Sequence, residues 1–277
     1  MDNSLLYLLA VPLLSVSGGL AAAGVFLGHS VPVWWFRLCS AGGLLAAGCL
    51  LFHTLFQVNG FHFGFVSGLM SVAWVAGCVA LVEGFFHRAK LLEMIVYPFC
   101  AVVFVLPSLG LETETLSGGT QEWIFRAHLI IAVAAYSLLG IAAVHACIMV
   151  WQGRALHGLG QGPDHSRGLR ERLLDQLPPL LAMESSLFRQ LWAGFGLLTL
   201  TLVSGFVFAQ QSMGSPFLLG HKTVFSALSW CSFAVLLAGR LFFGWRGKRA
   251  LRWCLGSYAV LVLAYFGTQF VFEFVVG

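Results

Sequence analysis

Apolar stretches follow one another along the chain, about eight in number, and the short segments between them hold nearly all of the charge. They run approximately from Leu5 to Leu27, Trp34 to Phe56, Phe63 to Phe86, Leu91 to Leu109, Trp123 to Trp151, Phe188 to Gln210, Thr223 to Phe243 and Leu251 to Val275. About 20 apolar residues in helical conformation cross a hydrocarbon core about 30 Å thick. These runs are too long and too continuous for barrel strands. The pattern therefore predicts an all-α fold, a polytopic integral membrane bundle of about eight transmembrane helices forming a single transmembrane domain over residues 1–277. Composition agrees: 59% of the residues are hydrophobic and 9% charged, where a soluble domain carries about 25% charged residues.

Charge then orients the bundle, because Lys and Arg are retained on the cytoplasmic side. Arg37, Arg88, Lys90, Arg154, Arg167, Arg170, Arg172, Arg240, Arg246, Lys248, Arg249 and Arg252 fall in or beside every second loop. The intervening loops carry Glu112, Glu114 and Glu122, with only Arg126 and Lys222 as basic residues near them. Both termini are expected outside, and the lack of a basic stretch before the first span argues against a cleaved signal peptide. The net charge of +4 belongs to these loops and is no sign of nucleic-acid binding. Seven cysteines are scattered through the spans without a C-x-x-C pair, so they read as small core hydrophobes, and covalent haem attachment through C-x-x-C-H is excluded.

The longest loop, residues 152–187, is expected on the cytoplasmic side. Its first part, QGRALHGLGQGPDHSR, is polar and Gly-rich. The second, GLRERLLDQL, sets Leu169, Leu173, Leu174 and Leu177 on one helical face against Arg170, Glu171, Arg172 and Asp175, the pattern of an amphipathic helix in the interface plane. Pro178 and Pro179 are expected to stop it.

The nine histidines sort by depth. His29, His87, His157 and His165 lie in or beside cytoplasmic loops and read as solvated. His145 follows His128 by 17 residues, about 25 Å along a helix, so the two cannot share a ligand; it reads as a packed, hydrogen-bonded side chain. The remaining four map to the outer third of the bundle: His53 nears the end of the second span, and His62, His128 and His221 open the third, fifth and seventh. Imidazole is a good ligand for haem iron, and a bis-histidine pair on facing helices is a common way to hold haem in a bundle. Haem propionates also need basic partners near water. Arg126 stands two residues before His128, and Lys222 directly follows His221. His128 and His221 are thus the candidate metal ligands for a non-covalent haem b, with Arg126 and Lys222 as propionate partners and His53 and His62 as further cofactor-site residues. The competing reading is that all of these are interface anchors.

The segments HLIIAVAAYSLLGIAAVHA, LPPLLAMESSLFRQLWAGFGLLTLTLVSG, HKTVFSALSWCSFAVLLAGR and GWRGKRALRWCLGSYAVLVLAYFGTQFVFEFV resemble the CcsA and HemX type cytochrome c assembly proteins. Among these they are most similar to the bacterial inner-membrane subgroup called YpjD. LLFHTLFQ and FGFVSGLMSVAW extend the likeness more loosely into the first half. The resemblance implies an eight-span protein of the bacterial cytoplasmic membrane that holds haem at the outer face between two histidines. The opening histidine of HLIIAVAAYSLL corresponds to His128. His221 occupies the place where assembly members have a proline, and their second outer-face ligand lies beyond the last span, so its pairing with His128 is an inference rather than a transfer. The tryptophan-rich motif WGxxWxWD, which in assembly members presents haem to an apocytochrome, has no counterpart in QQSMGSPFLLG, the loop before His221.

The partners implied are haem, the lipid bilayer, and cytochrome c assembly or other membrane proteins, with no nucleic acid. A small-molecule transporter is the alternative, though Glu83, Glu93 and Glu273 sit near span ends rather than at the midplane. A non-catalytic scaffold is the other, since small-residue runs such as SGGLAAAG let helices approach closely. Hydrolase and phosphoryl-transfer motifs are missing.

Overall fold

A computed structural model describes residues 3–26, 32–57, 60–86, 90–109, 116–117, 122–158, 174, 177–213 and 221–264. Among them are α1 (Asn3–Phe26), α2 (Val33–Leu55), α3 (Phe65–Phe86), α4 (Lys90–Val105), α5 (Glu122–Gly158), α6 (Leu180–Met213), α7 (His221–Phe243) and α8 (Gly247–Val262). Seven of these helices are long and apolar enough to cross a membrane. The described part of the remaining one, α8, has 16 residues, and the rest of the expected last span lies outside the described residues. The chain is therefore the polytopic helical membrane protein that its hydropathy predicts.

The helices divide into two compact units, one comprising Met1–Glu114 with Ile148–Glu184 and the other Thr115–Cys147 with Ser185–Gly277. Apolar driving force is weak between helices in lipid, so close approach and interhelical hydrogen bonds do the work. In the first unit, the helix interiors are small where they meet. A Cβ on Gly18 would lie 2.7 Å from Cδ of Pro98, and one on Gly43 would lie 3.1 Å from Cγ of Leu14. Trp74 donates from Nε1 to the Leu44 carbonyl at 2.8 Å, and Cys100 from Sγ to the Ala73 carbonyl at 3.0 Å. Arg37 joins the start of α2 to the end of α3, donating to the Gly84 carbonyl at 3.3 Å and lying 4.2 Å over the Phe85 ring. The buried Glu93, in the first turn of α4, lies against Gly84.

In the second unit, α5, α6, α7 and α8 are tied by hydrogen bonds between helices. Tyr136 donates to the Leu261 carbonyl at 3.0 Å, Trp230 to the Thr199 hydroxyl at 2.9 Å, and Ser229 to the Ser257 carbonyl at 3.0 Å. Trp230 also stacks on Phe195, with ring centroids 5.5 Å apart. Leu139 fills the space opposite Gly194, and the Tyr258 hydroxyl the space opposite Gly140. The turn from α7 to α8 depends on glycine: Gly244 and Gly247 have φ of 61° and 56°, a left-handed conformation that side chains with a Cβ rarely adopt.

Three departures from the hydropathy reading have local causes. Residues Phe56–Gln57 (β1) and Gly60–Phe63 (β2) form an antiparallel hairpin, Phe56 opposite Phe61 and Gln57 opposite Gly60, so His62 lies in a strand and α3 starts after it. A further short strand, β3, covers Leu116–Ser117. Next, α5 continues past Trp151 to Gly158, and α6 begins at Leu180 rather than Phe188, because Gln152, Arg154, Ala155, Leu181, Ala182, Met183 and Glu184 are good helix formers whatever their hydropathy. Finally, Pro178 and Pro179 stand just before α6, where the missing proline N–H costs nothing; Ala182 and Met183 donate back to the Pro179 carbonyl. The amphipathic helix expected over residues 168–177 falls outside the described residues, apart from Leu174 and Leu177.

Candidate functional site

His128 occupies the second turn of α5 and is half-buried. Its Nδ1 lies 2.8 Å from Oγ of Ser204 on α6. The same hydroxyl lies 3.1 Å from the Thr201 carbonyl, to which it can donate. A hydroxyl has one proton, and a carbonyl can only accept. Where that proton goes to Thr201, Ser204 accepts from His128, the imidazole proton sits on Nδ1 and the Nε2 lone pair is free; in the other tautomer the hydroxyl donates to Nδ1 and Nε2 carries the proton. Metal-binding histidines are prepared in the first way, the distal N–H being held by an oxygen of the protein.

The residue after Ser204 has no side chain. A Cβ on Gly205 would lie 3.2 Å from Cε1 of His128, closer than ordinary contact, so the glycine lets the ring edge lie against α6. Thr201, Ser204 and Gly205 thus set both the hydrogen bond and the position of the ring. None of the three stood out in the sequence as a site residue. TLTLVSG reads as an ordinary apolar helix segment, and its link to His128 spans 76 positions.

Arg126 is half-buried on the same helix. Residues two apart on a helix do not share a face, so adjacency in sequence does not make Arg126 and His128 neighbours on α5. His221 and Lys222 form the first turn of α7; their side chains lie outside the described residues. His53 and His62 belong to the first unit. His53 is exposed in the last turn of α2 and edges onto Phe52, with centroids 6.3 Å apart. His62 is half-buried in β2 between Phe61 and Phe63, whose rings stack 6.2 Å apart. His145, on α5, is buried and donates from Nδ1 to the Ile141 carbonyl at 3.1 Å, the bond of a packed core histidine.

Among the described residues no three or more His, Cys, Asp or Glu side chains gather into a metal-binding group. A bare ion of the zinc type, which needs such a set, finds none there. A cofactor that brings four of its own ligands needs only one or two from the protein.

Residues 35–276 match the family described as "Cytochrome C assembly protein". The "Inner membrane protein YpjD" of Escherichia coli (strain K12) is 28% identical over 185 residues, 67% of this chain and 65% of that protein. An "Uncharacterized 28.8 kDa protein in nifR3-like 5'region" of Azospirillum brasilense is 27% identical over 218 residues, 76% of this chain and 77% of that protein. A "Cytochrome c biogenesis protein CcsA" of Heterosigma akashiwo is 32% identical over 105 residues, 37% of this chain and 32% of that protein. The match to the Escherichia coli relative spans just under two thirds of that protein's length. No solved structure matches.

Proposed function

Because this chain belongs to the cytochrome c assembly protein family, we propose that it is a haem-handling protein of the bacterial cytoplasmic membrane, in which His128 would hold the iron of a non-covalently bound haem b. Its role is then in cytochrome c biogenesis or in a branch of the family's haem traffic. The observation that carries this reading is the His128, Ser204 and Thr201 chain of hydrogen bonds. It orients a half-buried imidazole and, in the tautomer protonated at Nδ1, leaves Nε2 free for iron.

The remaining parts follow from charge and position. His221, at the start of α7 in the same unit, would be the second residue to hold the iron. Arg126 and Lys222 are the cationic partners of the propionates, since charge-assisted hydrogen bonds to carboxylate are the strong ones. Bound haem would supply one-electron iron chemistry and a ligand-exchange centre. The residues of the chain would orient His128, position its ring against Gly205 and neutralise the propionates.

Absorption spectra of the full chain, purified in mild detergent from haem-supplemented cells, test the proposal. A Soret band with sharp reduced α and β bands is expected at near-stoichiometric haem. His128→Ala and His221→Ala are each expected to remove the six-coordinate signature, and the double variant to lose haem. Unchanged haem content in the double variant would refute the ligand assignment. A wild-type protein without a Soret band would refute haem binding itself.

A further inference from the structure

A second feature of the Thr115–Cys147 and Ser185–Gly277 unit concerns neither His128 nor haem. Between α7 and α8 runs an open groove of about 320 Å³, lined by Ser232, Arg252, Trp253, Gly256, Ser257 and Val260. Arg252, Gly256 and Val260 are spaced four apart and form one ridge line of α8; Ser232 faces them from α7.

Each lining residue contributes a separate property. Arg252 is exposed, and among the described residues no hydrogen bond or ion pair holds its guanidinium. It stands near the start of α8, on the end that also carries Arg246, Lys248 and Arg249. Trp253 packs beside Trp245 with centroids 5.8 Å apart, and tryptophan settles at the level of lipid headgroups. Gly256 is exposed, and a Cβ there would meet nothing within 4 Å, so the groove is open along its middle.

Ser257 is the telling residue. Serine in a membrane helix commonly donates to the carbonyl four residues back, and Ser15, Ser17, Ser40, Ser71, Ser137 and Ser232 all do so here. Among the described residues the Ser257 hydroxyl has no partner, and the residue, at 2% exposed, lies beneath the groove. A buried hydroxyl without a partner is costly.

We propose that the groove binds an anionic phospholipid, its phosphate on Arg252 and one acyl chain over Gly256 toward Val260. Arg252 has the fork geometry and permanent charge that match a phosphate. Ser257 lies five positions further along α8, about 7.5 Å deeper. Its oxygen is closed to solvent as the helices stand, so an ester carbonyl of the lipid, which only accepts, would take its proton only once the side chain turns toward the groove. Val260 is eight positions from Arg252, about 12 Å along the helix, in the acyl region. The charge of the groove mouth selects a lipid over an apolar partner helix, which would leave the guanidinium uncompensated.

The test uses native mass spectrometry of the full chain in detergent, titrated with dioleoylphosphatidylglycerol, dioleoylphosphatidylcholine, or glycerophosphoglycerol, the headgroup without chains. The phosphatidylglycerol is expected to bind about fivefold more tightly than the phosphatidylcholine, the effect of one basic residue at an anionic headgroup. Arg252→Gln is expected to abolish that preference. Gly256→Leu, which projects into open space and leaves the helix contacts intact, is expected to weaken both lipids, and the soluble headgroup is expected not to bind. Circular dichroism and haem content should be unchanged in both variants, which separates this proposal from the haem site. Equal affinity for the two lipids, a preference that survives Arg252→Gln, or headgroup binding as tight as lipid would overturn it. So would a Gly256→Leu variant that binds lipid normally but changes its association state, which would give the groove to a partner helix.

Discussion

Replacing Ser204 by Ala removes one oxygen and leaves His128 in place. The hydrogen bond lost is 2.8 Å long, between Nδ1 of His128 and a hydroxyl that also lies 3.1 Å from the Thr201 carbonyl. Losing a partner of this kind typically lowers metal affinity 10- to 100-fold, or about 1.4 to 2.7 kcal/mol. Because His128 is only half-buried, water can replace part of the acceptor, and the expected loss is at the lower end, about tenfold. Two further effects follow from the same chemistry. Without an acceptor for Nδ1–H the imidazole becomes a poorer electron donor, so the haem midpoint potential should rise. Folding stability should fall by about 1 kcal/mol, the value of an ordinary intramolecular hydrogen bond. Ser204→Thr keeps the hydroxyl and should restore affinity and potential. The assay is Soret titration of the haem-depleted protein together with a spectroelectrochemical midpoint. A Ser204→Ala protein that is less stable, yet has wild-type affinity and potential, would show that Ser204 merely packs against His128 and would refute the tautomer argument.

Two other substitutions probe the surrounding structure. Gly205→Ala places a methyl group about 3.2 Å from Cε1 of His128, which should displace the ring by a few tenths of an ångström; haem affinity should drop less than in Ser204→Ala, and Gly205→Leu should bind less haem than either. Equal haem content in all three would remove the glycine from the site. Tyr136→Phe deletes the bond to the Leu261 carbonyl and should lower the unfolding free energy in detergent by about 1 kcal/mol, with no change in the haem spectrum; a spectral change would mean that the α5 to α8 contact helps shape the site.

The sequence was most informative where the physics is local. Partition into lipid depends on the summed hydropathy of about 20 residues, and the seven long apolar helices accordingly lie where the pattern puts them. The ends of α5 and α6 were less legible, since a helix can continue into polar sequence as long as its residues favour helical backbone. The hairpin holding His62 was not legible, because its phenylalanines blend into the neighbouring spans. His128 could be singled out because it opens a span. Its environment could not.

Composition, span placement, membership of a haem-associated family and the choice of His128 are therefore properties of the sequence by itself, because each rests on short-range pattern or on likeness of segments. Tertiary structure decided that Ser204 meets His128, that Gly205 leaves room for the ring, and that the Ser257 hydroxyl, beneath a groove beside Arg252, has no partner among the described residues. These depend on the rotation and height of one helix relative to another. A hydrogen bond requires that placement to within a few tenths of an ångström, and hydropathy, which is nearly indifferent to rotation in a helix surrounded by lipid and by other apolar helices, does not encode it.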